Sequence, residues 1–247
     1  MRDLHTHVLP GLDDGPRDLE ESLSVVSFLA GLGFDHIFLT PHFRQSYFEI
    51  PASRIREASG RLRAALADRL PAVRFTEAHE VHLGSVFDSR GRVQGFLTFG
   101  ADHPHVLLEV PGQSFPFDFL LRTINGLYAE GIRVVLAHPE RHVCLSNEPG
   151  RYRELCDRGV KFQLNLTSLS GFGGRQVRKA AELLCGEGMV HAVGTDTHSL
   201  AQAVAFVPRG LEKAVKLLGE QRLREIAEGA ELPLGSEDAG EETGTWG

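Results

Sequence analysis

Two histidines near the start of the chain, His5 and His7, are separated by one residue. On a β-strand both side chains would leave the same face, and at the end of a strand both imidazoles could reach one metal ion. The turn that follows is rich in Pro and Gly, and its Asp13 and Asp14 could turn back towards the histidines. Because a solvated terminus explains an HxH pair equally well, a metal site is predicted only if further ligands occur at similar places.

Other histidines and carboxylates follow the later apolar segments of the chain in the same way. His42 comes after the segment 35–40, and His138 comes after the strongly apolar segment 132–137. The side chains that we expect at strand ends are His5, His7, His42, Glu80, Glu109, His138, Asp196 and His198. Any one of them could be an ordinary polar residue, but that explanation is poor for the whole set.

The chemistry of this set favours a metal centre that hydrolyses phosphoesters. Imidazoles and carboxylates without thiolates suit manganese, iron or zinc. The set exceeds what one ion needs, so we expect two or three divalent ions. With Glu80 and a hydroxide as bridges, such a centre would activate water at neutral pH and stabilise an in-line displacement at phosphorus.

Apolar segments and helical patterns alternate along the chain, and these elements would position the site. The predicted strands are the opening residues and the segments 35–40, 73–81, 105–110, 132–137, 160–166 and 190–194, with a small extra strand at 96–99. Predicted helices begin at Asp18, with Glu21 in a capping box, and at Pro51, span 117–130, 148–158 and 175–187, and resume after Leu200. About seven βα units predict an α/β fold whose parallel sheet closes into a barrel, although an open doubly wound sheet would show similar alternation.

The composition describes one domain, residues 1–232, and an acidic tail, residues 233–247, that we expect to be disordered. Charged residues make up 24% of the 247 residues and the net charge is −7, which argues against nucleic acid as a partner. Neither an apolar run of about 18 residues nor a signal-peptide pattern occurs, so we expect a cytoplasmic protein without a membrane span. None of the three cysteines is followed six residues later by arginine, which excludes a cysteine-nucleophile phosphatase loop.

Several motifs together carry a resemblance to a known family. They are the segments His5–Pro16, Thr40–Phe43, Glu80–Val81, Leu107–Pro111, Leu136–Arg141, Gln163–Leu169 and Gly194–Ser199. In this order, over residues 1 to about 200, they resemble the bacterial capsule-regulating protein-tyrosine phosphatases of the PHP (polymerase and histidinol phosphatase) superfamily. The HxLPGxDDGP opening is specific to that branch, whereas HxH and DxH are shared across the superfamily and with other metallohydrolases.

The resemblance implies a distorted (β/α)₇ TIM-like barrel of the PHP type with a trinuclear site. By position, His5, His7, Glu80 and Asp196 would bind one ion, Glu80, Glu109 and His138 a second, and Asp14, His42 and His198 a third. Glu80, Asp196 and Arg141 would be catalytic. Arg141 would hold the phosphate oxygens, unless it is a surface arginine paired with Glu140. His42 and Asn165 would contact the substrate, although Asn165 could equally cap a strand end.

The function that this resemblance implies is hydrolysis of phosphotyrosine in proteins, with manganese as the favoured metal and a bacterial tyrosine kinase as the partner. One departure concerns the substrate. The family usually has a second arginine five residues after the histidine matching His198, and here that position is Ala203. Either Arg209 replaces it from the next turns, or the protein acts on a different leaving group. A small-molecule phosphatase such as histidinol phosphatase, and a non-catalytic metal-binding regulatory barrel, therefore stay as alternatives. An amidohydrolase is disfavoured because the lysine nearest a strand, Lys161, lies at its start. The oligomeric state stays open.

Overall fold

Strands and helices alternate along residues 1–100, 103–111, 115–230 and 232, which are the parts of the chain that the computed structural model describes. The strands are β1 (Arg2–Thr6), β2 (His36–Leu39), β3 (His42–Arg44), β4 (Phe48–Glu49), β5 (Arg74–Glu77), β6 (Glu80–His82), β7 (His105–Glu109), β8 (Arg133–Ala137), β9 (Lys161–Asn165) and β10 (Ala192–Gly194). The α-helices are α1 (Leu19–Gly31), α2 (Ala52–Leu66), α3 (Phe117–Ala129), α4 (Val143–Ser146), α5 (Gly150–Asp157), α6 (Leu166–Ser170), α7 (Arg175–Gly186), α8 (Leu200–Leu218) and α9 (Glu220–Glu228). The predicted acidic tail, 233–247, lies outside these residues.

The strands form two sheets, and nearly all neighbouring strands run parallel. One sheet has the order β1-β2-β5, and the other has the order β10-β9-β8-β7-β6-β3-β4. The exception is the hairpin of β3 and β4, which pair antiparallel. This mixed α/β architecture agrees with the predicted class, and among the described residues the named strands do not close into one continuous barrel.

Two predicted strands differ from the structure. The predicted strand 73–81 is two strands, β5 and β6, which lie in different sheets. The adjacent segment of the polypeptide is interrupted at the same height in the sheets, between β2 and β3. Pro41 lies at that interruption, and it has no amide hydrogen to continue a ladder. Between β5 and β6, His79 instead binds the carbonyl oxygen of Ile50 through Nε2, at 2.9 Å, and the amide of Leu97 through Nδ1, at 2.8 Å. The predicted strand at 96–99 is also wrong, because Phe99 makes only an isolated bridge there.

Backbone hydrogen bonds connect the end of β1 to the segment that follows β10. The amide of Asp196 donates to the carbonyl oxygen of His5 at 2.8 Å, and the amide of His7 donates to that of Thr197 at 3.1 Å. Asp3 reinforces this contact, because its buried carboxylate accepts the Thr195 amide at 2.8 Å and the Thr195 hydroxyl at 2.7 Å. The first and last strands of the chain are thereby adjacent.

Apolar side chains pack beneath the ends of the parallel strands. Leu107 on β7 and Val135 on β8 are fully buried and belong to one small apolar cluster that also includes Phe38. Leu107 lies two residues before Glu109, and thus on the same face of the strand. Polar side chains at the carboxyl ends of the strands therefore rest on an apolar layer. None of the helices in the described part of the chain has the length and apolar character of a membrane span.

Candidate metal centre

The candidate ligands converge from separate elements: Glu109 ends β7 and His138 follows β8, whereas His42 and Glu80, predicted at strand ends, are the first residues of β3 and β6. Their donor atoms form four overlapping groups, and within each group these atoms lie within 4.8 Å of one another. The groups are His5, His7 and Asp196; His5, Glu80 and His138; His42, Glu80 and Glu109; and His7, Asp14, His42 and His198. Together they include all nine residues for which we predict a metal-binding role.

Glu80, at the start of β6, lies at the middle of the cluster and is 1% exposed. Its Oε1 is 2.9 Å from His138 Nε2 and 3.4 Å from His5 Nε2, and its Oε2 is 3.3 Å from His7 Nε2 and 2.8 Å from His42 Nδ1. One carboxylate therefore faces four imidazoles, with two on each oxygen. This geometry suits a carboxylate that bridges metal ions.

Asp196 faces the same centre with only one of its two oxygens. Oδ1 is 3.5 Å from His5 Nε2 and 3.4 Å from His7 Nε2. Oδ2 accepts hydrogen bonds from Arg141 Nη1 at 2.5 Å and from Asn165 Nδ2 at 2.9 Å. Burial opposes ionisation, but the Arg141 charge and the nearby imidazoles hold the pKa of Asp196 well below its usual range.

Asp14 marks the open side of the cluster, since 54% of its side chain is exposed. Its Oδ1 is 3.5 Å from His42 Nε2 and 3.3 Å from His198 Nε2. Glu109 approaches from β7, with its Oε2 3.8 Å from His42 Nδ1. Glu109 thus groups with His42 and Glu80 rather than with His138, and the assignment of each residue to a particular ion stays a prediction.

The donor set fits divalent cations. His42 Nδ1 and Glu80 Oε2 are 2.8 Å apart and buried, yet neither atom has a hydrogen bond among the described residues. His5 Nε2 and His7 Nε2, by contrast, are within hydrogen-bond distance of each other, at 3.0 Å. Lone pairs that converge without suitable hydrogen-bond geometry are typical of metal ligands, and this set of nitrogen and oxygen donors suits manganese, iron or zinc.

Negative charge accumulates at one edge of the cluster. Burial and the nearby Glu80 carboxylate raise the pKa of Glu109 to about 7. A bound divalent cation would supply the opposite charge and lower this pKa again. A cation at this edge would therefore offset the repulsion between the carboxylates of Glu80 and Glu109.

Arg141 lies at the rim, with 23% of its side chain exposed. Its Nη1 contacts Asp196, whereas its Nη2 is buried without a hydrogen-bond partner among the described residues. The guanidinium carbon lies 5.4 Å from the centre of the Phe172 ring. Glu140 is buried, and its carboxylate accepts a hydrogen bond from the backbone amide of Asn165 at 3.1 Å. Arg141 and Glu140 therefore do not form a surface pair. One guanidinium nitrogen at the edge of the cluster thus has its hydrogen-bonding capacity unused among the described residues.

Two of the candidate ligands have left-handed backbone conformations, which non-glycine residues rarely adopt. The φ angles are 32° at His138 and 51° at Asp196. His138 directly follows β8, and Asp196 is the second residue after β10. At both places the chain turns while the side chain lies in the cluster. Strain of this kind is concentrated at functional sites.

Several side chains behind the ligands have no metal-binding role in our sequence analysis. Asp13 Oδ2 binds His7 Nδ1 at 2.7 Å and also accepts the His42 amide at 3.1 Å. Gln163 Oε1 lies 3.0 Å from His5 Nδ1. The sequence placed Asp13 near the histidines, because it lies in the first turn beside Asp14, but it indicated no specific partner for Asp13. Gln163 was missed, because an amide side chain that is not a metal ligand forms no recognisable sequence motif.

The remaining candidates have clear places in the fold. Asn165 is fully buried and precedes α6, and its side-chain amide contacts Gln163 and Asp196, so its contact with substrate stays a prediction. Ala203 is fully buried on α8, and Arg209 is exposed further along the same helix.

Comparison with known proteins shows similarity over nearly the whole chain. The family model described as "Capsular polysaccharide synthesis, CpsB/CapC" matches residues 1–230. Tyrosine-protein phosphatase YwqE of Bacillus subtilis is 26% identical over 238 residues, which cover 95% of this chain and 91% of that protein. Tyrosine-protein phosphatase CpsB of Streptococcus agalactiae is 26% identical over 231 residues, covering 92% of this chain and 94% of that protein.

A solved structure has the same fold. It comes from a study of YwqE from Bacillus subtilis and CpsB from Streptococcus pneumoniae, which are described there as unique metal-dependent tyrosine phosphatases. The TM-score is 0.79 at 24% identity, and the match covers 95% of this chain and 94% of the other.

Proposed function

Because the chain belongs to the family of capsular polysaccharide synthesis proteins CpsB/CapC, we propose that it is a metal-dependent phosphatase that removes phosphate from tyrosine residues of proteins. The observation that carries this proposal is the convergence of nine metal-type ligands beside Arg141, whose Nη2 is buried and unpartnered among the described residues. Both curated relatives described above carry the name of this activity.

The chain's own residues bind and orient the substrate in this proposal. Two or three bound divalent ions, with manganese favoured over iron or zinc, would supply a water of lowered pKa and neutralise charge at phosphorus. His5, His7, Glu80 and Asp196 would hold the inner part of the centre, and the exposed side at Asp14 would admit the phosphate. Arg141 would donate through Nη2 to a phosphate oxygen while Nη1 stays on Asp196.

Two further parts of the proposal concern fold and setting. The hydrogen bonds between β1 and the segment after β10 support closure of the two sheets into a distorted (β/α)₇ barrel that covers residues 1–232. The name of the family links the chain to capsule or exopolysaccharide production, and we propose a bacterial tyrosine kinase in the cytoplasm as the phosphotyrosine substrate.

A second candidate is a small-molecule phosphatase. Ala203 is fully buried, so its position on α8 supplies no cation to a phosphotyrosine peptide. A smaller phosphoester such as histidinol phosphate would need fewer contacts outside the metal centre.

Metal restoration and a comparison of substrates test both candidates. Metal-stripped protein is supplied in turn with Mn²⁺, Zn²⁺ or Mg²⁺, and phosphate release is measured from a phosphotyrosine peptide and from histidinol phosphate. We expect metal-dependent release from the peptide, no activity in Glu80→Ala, and normal activity in His103→Ala, an exposed histidine outside the cluster. Release from histidinol phosphate alone would favour the second candidate, and full activity of Glu80→Ala would overturn the site.

A further inference from the structure

Two amide side chains on β9, Gln163 and Asn165, lie directly behind the candidate metal centre. Both are fully buried and, being two residues apart, lie on the same face of the strand. Gln163 Oε1 is 3.0 Å from His5 Nδ1, Gln163 Nε2 is 2.8 Å from Asn165 Oδ1, and Asn165 Nδ2 is 2.9 Å from Asp196 Oδ2. The two amides thus join a candidate histidine ligand to a candidate carboxylate ligand.

The direction of each hydrogen bond in this chain is determined by its partners. The backbone amide of His138 can only donate, and it lies 3.4 Å from Gln163 Oε1. Gln163 Nε2 therefore faces Asn165 and donates to its Oδ1, which leaves the Asn165 amide nitrogen to donate to the Asp196 carboxylate. The orientation of both amides follows from a backbone donor at one end and a carboxylate acceptor at the other.

This chain of hydrogen bonds determines which atoms face the metal centre. Because Gln163 Oε1 accepts, His5 Nδ1 must carry a proton, so Nε2 is the nitrogen that faces Glu80 Oε1, 3.4 Å away, and the one left to bind a metal ion. At the other end, Asp196 Oδ2 is occupied by Asn165 and Arg141, so Oδ1 is the oxygen that faces the histidines.

Gly194 on β10 provides an independent observation. A Cβ atom at this position would lie 2.7 Å from Gln163 Nε2 and 2.7 Å from His5 Cβ. Carbon and nitrogen atoms cannot approach so closely without displacement, so glycine is required where β10 passes between the two side chains. The absence of a side chain at Gly194 on β10 therefore allows His5 and Gln163 to lie this close together.

We propose that Gln163 and Asn165 are positioning residues that set the affinity of the centre for divalent cations by fixing the tautomer of His5 and the orientation of Asp196. The proposal rests on the proposed function only in requiring that the cluster binds metal. Outer partners of metal ligands typically change metal affinity by about 10–100-fold when they are replaced.

The test measures metal affinity directly. The dissociation constant for Mn²⁺ is determined by titration calorimetry on metal-stripped wild type, Gln163→Met and Asn165→Ala, and the melting temperature of each metal-free protein is recorded. The control is Leu164→Met, a buried neighbour on the opposite face of β9. We expect at least tenfold weaker Mn²⁺ binding in the first two variants and unchanged binding in the control. In the double variant, the fold-loss of affinity should be larger than in either single variant but much smaller than the product of the two single fold-losses.

Several outcomes would overturn the proposal. Unchanged Mn²⁺ affinity in Gln163→Met, or in Asn165→Ala if the first variant does not fold, would show that the amides only fill space. A drop in affinity in Leu164→Met as large as in Gln163→Met would show that core packing is responsible. A wild type that binds no divalent cation would remove this proposal together with the proposed function, whereas a wild type that binds Mn²⁺ without hydrolysing phosphotyrosine would contradict the proposed function alone.

Discussion

In the proposed site Arg141 would combine two tasks in one side chain, because its guanidinium contacts Asp196 through one nitrogen and has a second nitrogen without a hydrogen-bond partner among the described residues. The ring of Phe172, 5.4 Å from the guanidinium carbon, limits the orientation of that group. A lysine at this position would have one compact charge and could not serve both partners in a planar arrangement. Residue 141 is thus where the proposed metal centre and the proposed phosphate contact meet.

Replacing Arg141 by lysine tests this dual role. We expect kcat/KM for a phosphotyrosine peptide to fall about 10–100-fold, the range for loss of one hydrogen bond to a charged group. The metal content should stay close to that of the wild type. Steady-state kinetics and elemental analysis check the result, and Arg151→Lys is a matched control because Arg151 also lies over an aromatic ring, that of Phe117, outside the cluster. Wild-type kinetics in Arg141→Lys would contradict the proposed phosphate contact.

At the scale of elements, the contact between β1 and the segment after β10 depends on one buried carboxylate. Asp3 accepts both the amide and the hydroxyl of Thr195, and it is fully buried. We call this contact of Asp3 with Thr195 the clamp. His5 lies two residues after Asp3, and Asp196 directly follows Thr195, so the clamp lies immediately beside the candidate centre. Sequence periodicity could not identify the clamp, because its two partners are far apart in the chain.

Asp3→Ala should therefore destabilise the protein. Two buried donors would lose a charged acceptor, at a cost of about 2–3 kcal/mol in the free energy of unfolding. Urea denaturation of the metal-free protein measures this cost, with Asp68→Ala at an exposed carboxylate as the control. An equal midpoint for Asp3→Ala and wild type would contradict a role for the clamp.

A histidine on β2 should make stability depend on pH. Burial, together with the charges of Arg74 and Arg2, lowers the pKa of His36 from 6.5 to about 4. The unfolded chain thus binds a proton between these values while the folded protein does not, so stability present above pH 6.5 is lost as the pH falls towards 4. Denaturation at pH 7 and pH 5 should show that the free energy of unfolding falls more on acidification in the wild type than in His36→Gln. A stability difference between the two proteins that is constant with pH would refute this.

How much of the fold can be predicted differs between elements. The Asp18 cap of α1 follows from local spacing, and its carboxylate accepts the Glu21 amide at 2.9 Å as predicted. The break between β5 and β6 could not be predicted from 73–81 alone, since it coincides with Pro41, which lies between the neighbouring strands β2 and β3. The positions of Glu109 and His138 were predictable because parallel strands share one carboxyl edge, whereas His42 and Glu80 begin new strands, β3 and β6, which the sequence pattern does not separate from the strands before them. Gln163 acts through contacts that no local pattern shows.

For the whole molecule, the candidate centre joins side chains from both sheets. His5 lies on β1 of the first sheet, and Glu80 and Glu109 lie on strands of the second, so a bound cation would connect the two sheets. Metal binding should therefore also be visible as global stability.

Removal of metal should lower the melting temperature. Each occupied site stabilises the folded state by about 2.7 kcal/mol when free metal is at 100 times its dissociation constant. Thermal unfolding across a Mn²⁺ titration should show a melting temperature that rises with the logarithm of the metal concentration. Glu80→Ala, which removes the central carboxylate, should show little of this dependence. A wild-type melting temperature independent of metal would contradict the proposed centre.

The left-handed backbone at His138 and Asp196 has a practical consequence for protein engineering. Glycine adopts such φ angles without steric cost, whereas strained non-glycine residues cost of order 1–3 kcal/mol each. Glycine at His138 or Asp196 would relieve this strain, but it would also remove a candidate ligand and, at Asp196, the carboxylate that Arg141 and Asn165 contact. A screen for heat resistance without added metal would not reward keeping these two ligands, so selection of more robust versions of this protein needs metal present and an activity screen in every round.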